Sequence, residues 1–283
     1  MNGTAEAPAA GTILNALASG KGSAFAIDEY TTATVSLTDS EGVDGEIDGA
    51  PEADTRLIER CVELTTEHYG AGEGGTVTTE SEVPMASGLK SSSAAANATV
   101  LATLDALDVA SEVDRETACL LGVEAARDVG VTITGAFDDA SASMLGGVTV
   151  TDNTEDELLA HETVDWDVLV YTPPEQAFSA DADVEQCHRI APVAELVAEL
   201  AVDGRYGLAM TVNGFAFSAA LEFPTAPAIE ALPDAYGVSL SGTGPSVVAV
   251  GDRKALEGVR ESWNNRRGTT WLTTTQSKGA RTR

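Results

Sequence analysis

Three consecutive hydroxyls and a lysine share one turn of the chain, Gly88-Leu89-Lys90-Ser91-Ser92-Ser93. Pro84, Met85, Ala86 and Ser87 lead into it and Ala94 follows. Such a set makes a poor hydrophobic core and a good seat for a phosphate. A helix that starts here offers unpaired backbone N–H groups and the positive end of its dipole. Gly88 lets the backbone come close to a bound anion, Lys90 brings a charge, and a serine hydroxyl can reach Mg2+. The spacing is not that of the Walker loop, which has four residues between its first glycine and Gly-Lys-Ser/Thr. The physics is the same, and one serine would suffice if the turn were only an ordinary helix cap. Ser87-Gly-Leu-Lys90 also reads as S-x-x-K, a nucleophile motif of penicillin-binding proteins and β-lactamases. That class needs S-D-N and K-T-G as well, and neither occurs in the chain.

A strand must deliver this turn and a helix must leave it. Thr76 to Val83 alternates as a strand, and from Ser92 a helix of small residues carries Val100, Leu101, Leu104 and Leu107 as one apolar stripe. Upstream, Ala24 to Ile27 and Ala33 to Leu37 look like paired strands, and the acidic, glycine-bearing Asp39 to Asp54 reads as a loop. A helix follows over Thr55 to Tyr69, with Leu57, Ile58, Cys61, Val62 and Leu64 at helical spacing. Gly70, Gly72 and Gly75 fit G-x-G-x-x-G, yet a helix precedes them and a strand follows. The dinucleotide fingerprint needs the reverse, so this is a loop.

Beyond the serine turn, the spacing predicts a helix from about Glu112 to Asp128, a strand at Val148 to Thr151 and an acidic loop after it. The second half reads as a strand at Val168 to Thr172, a helix at Ala191 to Ala201 with Pro192 in its first turn, and an apolar segment from Tyr206 to Leu221. Ser241 to Ser246 turns into a strand at Val247 to Val250, and the polar tail after Thr275 is expected to fray. Strands and helices alternate irregularly, which favours α+β over a doubly wound sheet. A boundary near residue 155 would divide the chain into 1–155 and 156–283.

The chain has 283 residues, and 45 acidic against 16 basic ones give a formal charge of −29. That sign excludes nucleic acid and an anionic membrane surface as partners. The acids are scattered, which fits a solvated surface and work in concentrated salt, where self-repulsion is screened. Cys61, Cys119 and Cys187 stand singly without metal-like spacing and read as reduced, buried thiols. No apolar run is long enough to span a bilayer. The first residues lack the basic and apolar regions of a signal peptide, so the expectation is a cytoplasmic protein, monomeric or a homodimer.

PMASGLKSSSAAANA resembles the phosphate loop of the GHMP kinases, the superfamily of galactokinase, homoserine kinase and mevalonate kinase. Lys90 stands where glycine is usual in that loop. TGAFDDASASMLGG (134–147) resembles the family's segment holding the catalytic aspartate, and SGTGPS (241–246) its C-terminal glycine-rich motif. The three motifs come in the family's order, and the likeness covers nearly the whole chain. GLKSSSAAANA with TGAFDDA, and residues 14 to 28, are similar to the archaeal branch of shikimate kinases.

The resemblance implies a GHMP fold, with an N-terminal domain like domain 2 of ribosomal protein S5 and a ferredoxin-like C-terminal domain. It implies a phosphate loop over 84–95 that wraps ATP, with Ser92 or Ser93 near Mg2+ and Glu124 as a carboxylate for the metal. Asp139 falls at the catalytic aspartate, with Asp138 one residue away. Two adjacent carboxylates also suit a turn or helix cap. Gly242, Thr243, Gly244 and Ser246 would approach substrate or phosphate, unless they only make a tight turn. A shikimate carboxylate would need a cation, for which Lys21 comes first and Arg127, Arg189 and Arg205 follow. The implied activity is phosphoryl transfer to shikimate. The alternatives are another small acceptor, such as homoserine, pantoate or mevalonate, and an inactive nucleotide-binding sensor.

Overall fold

The computed structural model describes residues 1–84, 87–175 and 182–283. The chain opens with two long antiparallel strands, β1 (Asn2–Leu14) and β2 (Lys21–Thr38). This corrects the expected pairing of residues 24–27 with 33–37: both segments belong to β2, and their shared partner is β1. β1 is hard to see in the sequence because small residues stand where β-branched ones are usual. Ala5, Ala7, Ala9 and Ala10 are fully buried. A Cβ on Gly3 would lie 2.1 Å from the Ala102 carbonyl of α2 (Ser91–Ala106). The strand is small-sided so that this helix can lie directly on it.

β2 is long enough to hold two partners along one edge. β4 (Gly74–Ser81) pairs with residues 31–38 and β5 (Val148–Asp152) with residues 21–25. β3 (Val43–Ile47), within the segment expected to be a loop, adds parallel to β4. β6 (Glu157–Glu162) pairs with β5 and carries the first sheet past residue 155. α1 (Arg56–Tyr69), α2, α3 (Arg115–Asp128) and α4 (Phe137–Leu145) pack with this sheet around one core. α2 is buried on nearly every side, not along one stripe, as a helix of alanines and small hydroxyls permits when it runs through the centre of a lobe.

The second sheet has the order β10 (Thr269–Thr274), β7 (Asp167–Thr172), β9 (Val247–Gly251), β8 (Gly237–Leu240), all antiparallel. Alternate residues point to opposite faces. Val168 and Val170 pack with α6 (Ala191–Val202) and α7 (Tyr206–Ala220), while Leu169 and Tyr171 meet α8 (Ala226–Ala231) and α9 (Arg253–Trp263). A short α5 (Val184–Arg189) precedes α6.

The tail does not fray. Gln276 N–H bonds to Ala26 O at 3.0 Å, and β11 (Arg281–Thr282) pairs with β1. Arg281 and Arg283 both bind the carboxylate of Glu6, which is buried within the sheet. The last strand thus completes the first sheet. Among the described residues no helix is long and apolar enough to cross a membrane.

Candidate active site

Two turns distant in sequence meet at the start of α2. Gly88 takes φ +82°, and a Cβ there would lie 2.2 Å from the Ser241 carbonyl, so only glycine lets the turns touch. Ser241 Oγ donates to Gly88 O at 2.9 Å, and Ser246 N–H bonds to Ser87 O at 3.2 Å. Leu89 is buried beneath the turn, and its carbonyl accepts from Ala10 of β1 at 3.2 Å. The serine loop is therefore anchored by its backbone to both sheets. Met85 and Ala86 lie outside the described residues; Pro84 precedes them and is exposed.

Lys90 occupies the N-cap position of α2 in a left-handed conformation, φ +64°. No side chain caps this helix end, so its first-turn N–H groups remain available to an anion. Ser91, Ser92 and Ser93 form that first turn, with Ser92 exposed, and Ala94 is buried behind them. The Lys90 ammonium turns toward α4, 2.8 Å and 2.9 Å from the two carboxylate oxygens of Asp139.

α4 brings both aspartates to the same place. The sequence expectation placed no helix there; the structure starts one at Phe137, with Asp138 and Asp139 in its first turn. Asp138 is buried. Asn153 Nδ2 donates to its Oδ1 at 2.7 Å, and its own backbone N–H bonds to Asn153 Oδ1 at 3.1 Å. Burial, then the neighbouring Asp139 carboxylate, push the Asp138 carboxyl up to about 7, while Lys90 and the Asn153 amide pull the other way.

Lys90, Asp138 and Asp139 line a cleft together with Gly242 and Thr243 of the glycine-rich turn. The structure does not bring every expected residue there. Gly244 faces Phe223, and Ser246 is buried with its hydroxyl 2.6 Å from that of Thr172. Glu124 is exposed on α3 and is not among the lining residues. Lys21 sits at the start of β2, its ammonium 2.8 Å from Glu195 of α6, and does not line the cleft. Arg127 is held by Asp156 at 2.6 Å and Arg189 by Glu185 at 3.0 Å.

Other lining residues escaped the sequence reading. Asn15, the residue after β1, is buried and donates to Gly242 O at 2.9 Å, fixing the turn. A lone amide in the run Ile-Leu-Asn-Ala-Leu was the available signal. Thr132, Ile133 and Thr134 form one wall, and Ile133 is exposed there. The arrangement offers an anion site at a helix start, a lysine bridging it to a carboxylate, and a second carboxylate that burial pushes up from the ordinary carboxylate range. That combination suits transfer of a phosphoryl group to a hydroxyl.

Comparison with known proteins agrees. The family model of the GHMP kinases N terminal domain matches residues 56–147. A shikimate kinase of Halobacterium salinarum is 66% identical over all of both chains. One from Methanococcoides burtonii is 50% identical over 93% of this chain and 92% of its own. Among solved structures, a homoserine kinase from Cytophaga hutchinsonii superposes with TM-score 0.78 at 16% identity, covering 100% of this chain and 97% of its own. The Methanococcus jannaschii mevalonate kinase gives 0.74 at 13%, covering 97% and 98%. The chain belongs to the GHMP kinase superfamily, with its α+β fold, and within it to the family of the archaeal shikimate kinases.

Proposed function

We propose that the chain is a shikimate kinase, transferring the γ-phosphoryl group of ATP to a shikimate hydroxyl to give shikimate 3-phosphate and ADP, on the way to chorismate and the aromatic amino acids. The observation that carries the chemistry is the Lys90–Asp139 pair at an uncapped helix start, beside the buried Asp138 carboxyl. Full-length identity with named shikimate kinases supports the acceptor.

In this reading the N–H groups of the loop and of the first turn of α2 bind the ATP phosphates, with Lys90 neutralising developing charge. Asp139 orients the acceptor hydroxyl. As its oxygen bonds to phosphorus and the bond to ADP breaks, the hydroxyl proton passes to the aspartate pair. Asp138 suits this step because a base works best when it titrates near the working pH. Gly242 and Thr243 face the substrates.

The residues also fit Mg2+. Among the described residues no group of three or more acidic, cysteine or histidine side chains is assembled to hold a metal. Mg2+ is usually held by phosphate oxygens, water and one or two protein groups, and Ser92 or Ser93 offers a hydroxyl at the right helix end. When bound, the ion neutralises phosphate charge.

The test is ADP release by the purified protein with Mg-ATP in high KCl, comparing shikimate with homoserine, mevalonate and pantoate. Turnover with shikimate alone is the expected result. Turnover with another acceptor would keep the kinase chemistry and overturn the substrate. Silence with all four in a folded protein that binds ATP would favour an untested acceptor or a sensor.

A further inference from the structure

The acidic segment between β5 and β6 carries no motif, yet it sends one side chain into the catalytic cluster. Asn153 is 3% exposed and is held from several sides. Its Oδ1 accepts from Thr151 Oγ1 at 2.7 Å and from the Asp138 backbone N–H at 3.1 Å, which fixes the amide so that Nδ2 points at the Asp138 carboxylate, 2.7 Å away. The backbone is tied on both flanks: Asn153 N–H bonds to Gly20 O at 2.9 Å, and the Arg127 guanidinium grips Asp156 at 2.6 Å and 2.7 Å.

On its other side the Asp138 carboxylate lies against Gly22 of β2, where a Cβ would come within 2.4 Å of Oδ2. An amide in this position does two things that an apolar residue of the same size cannot. It holds the carboxylate in one rotamer, and it favours the ionised form by donating to it. Among the groups bearing on Asp138, those with charge are Asp139 on its own helix and Lys90 at the start of α2. β2 and β5 meet it with Gly22 and Thr149, which have none.

We propose that Asn153 is a positioning residue for phosphoryl transfer, locking the Asp138 carboxylate beside the Lys90–Asp139 pair and keeping it able to take a proton. The inference rests on the kinase reading above. It assigns a catalytic purpose to the β5–β6 turn, whose sequence resembles only a solvated loop.

The test uses Asn153→Ala and the near-isosteric Asn153→Asp in the full chain. For Asn153→Ala, loss of a hydrogen bond to a charged group lowers kcat by roughly tenfold to a hundredfold, with KM for ATP within about threefold. The acidic limb of its pH–kcat profile moves to higher pH, because the donor that favoured the ionised carboxylate is gone. In Asn153→Asp two carboxylates share one proton, so activity falls as pH rises and that proton leaves. Opposite pH responses from two variants at one position are not what a merely structural role produces. Asp138 titration by carboxyl 13C NMR reads the same contact without any acceptor, and its midpoint rises in Asn153→Ala. Wild-type turnover with unchanged variant profiles, or superimposable Asp138 titrations, overturns the inference and leaves the kinase reading intact. No shikimate-dependent ADP release by the wild type would overturn the kinase reading instead, and the NMR titration would still decide whether Asn153 controls Asp138.

Discussion

Replacing Lys90 by methionine keeps the length and apolar stem of the side chain and removes its charge, so it isolates what the ammonium does. The Lys90 side chain is 9% exposed and that of Asp139 14%, with nitrogen and oxygens 2.8 Å and 2.9 Å apart. Removing one partner of a well-buried pair costs about 3–5 kcal/mol, because the other charge stays uncompensated; the open cleft lets water reach Asp139 and puts this case at the low end. In catalysis, losing one preorganised donor at a charged transition state costs about 10²–10³ in kcat. Two measurements separate these effects: steady-state ADP release with shikimate, and thermal unfolding. Lys90→Met is expected to lose both activity and stability. The double variant Lys90→Met with Asp139→Asn no longer buries a lone carboxylate, so its melting temperature recovers toward wild type while its activity does not. A Lys90→Met enzyme within about threefold of wild-type kcat/KM would refute the assignment of Lys90 to the phosphoryl site. A double variant as unstable as the single one would refute the uncompensated-charge account.

Other outcomes follow from the same geometry. The Asp138 carboxyl is raised from 3.8 to about 7, so the folded state holds a proton that the unfolded chain has released between those values, and stability falls as pH rises through that window. Asp138→Asn is expected to melt higher than wild type at pH 8 and level with it near pH 4, while losing most turnover; a gap independent of pH would count against this. At the chain end the buried partner is Glu6 and the half-exposed ones are Arg281 and Arg283. Removing both arginines should therefore cost about 3–5 kcal/mol in denaturant unfolding, whereas Glu6→Gln, which returns two arginines to water, costs about 1 kcal/mol or less; equal losses would refute the asymmetry. Lys21→Ala should leave KM for shikimate within about twofold, because its ammonium is engaged by Glu195 away from the cleft; a tenfold rise would bring Lys21 into the acceptor site.

What could be read from the sequence divides along a physical line. The Gly-Leu-Lys-Ser-Ser-Ser turn, the aspartate pair and the Ser-Gly-Thr-Gly turn are legible because each carries its chemistry in consecutive residues, where local spacing is all that matters. α1, α3 and α6 are legible because one face of each meets a core and the other meets water. β1 is not, since a strand of alanines and glycines beneath a helix signals itself only through the closeness of its neighbour. β11 is not, because two residues of polar tail become a strand only when Glu6 and an open sheet edge are waiting for them.

The same division explains which supporting residues were missed. Asn15 and Asn153 act through hydrogen bonds to residues 227 and 15 positions away, and a single amide in the sequence carries no sign of its partner. Both orient groups that local motifs do reveal: Asn15 holds the glycine-rich turn at Gly242, and Asn153 holds Asp138. The visible motifs name the atoms that would react, while the residues that fix their geometry come from strand ends and turns that only the assembled sheets bring within reach. Asn15→Ala and Asn153→Ala should accordingly differ in kind: the first loosens the turn, the second alters the protonation of Asp138, and only the second moves the pH profile.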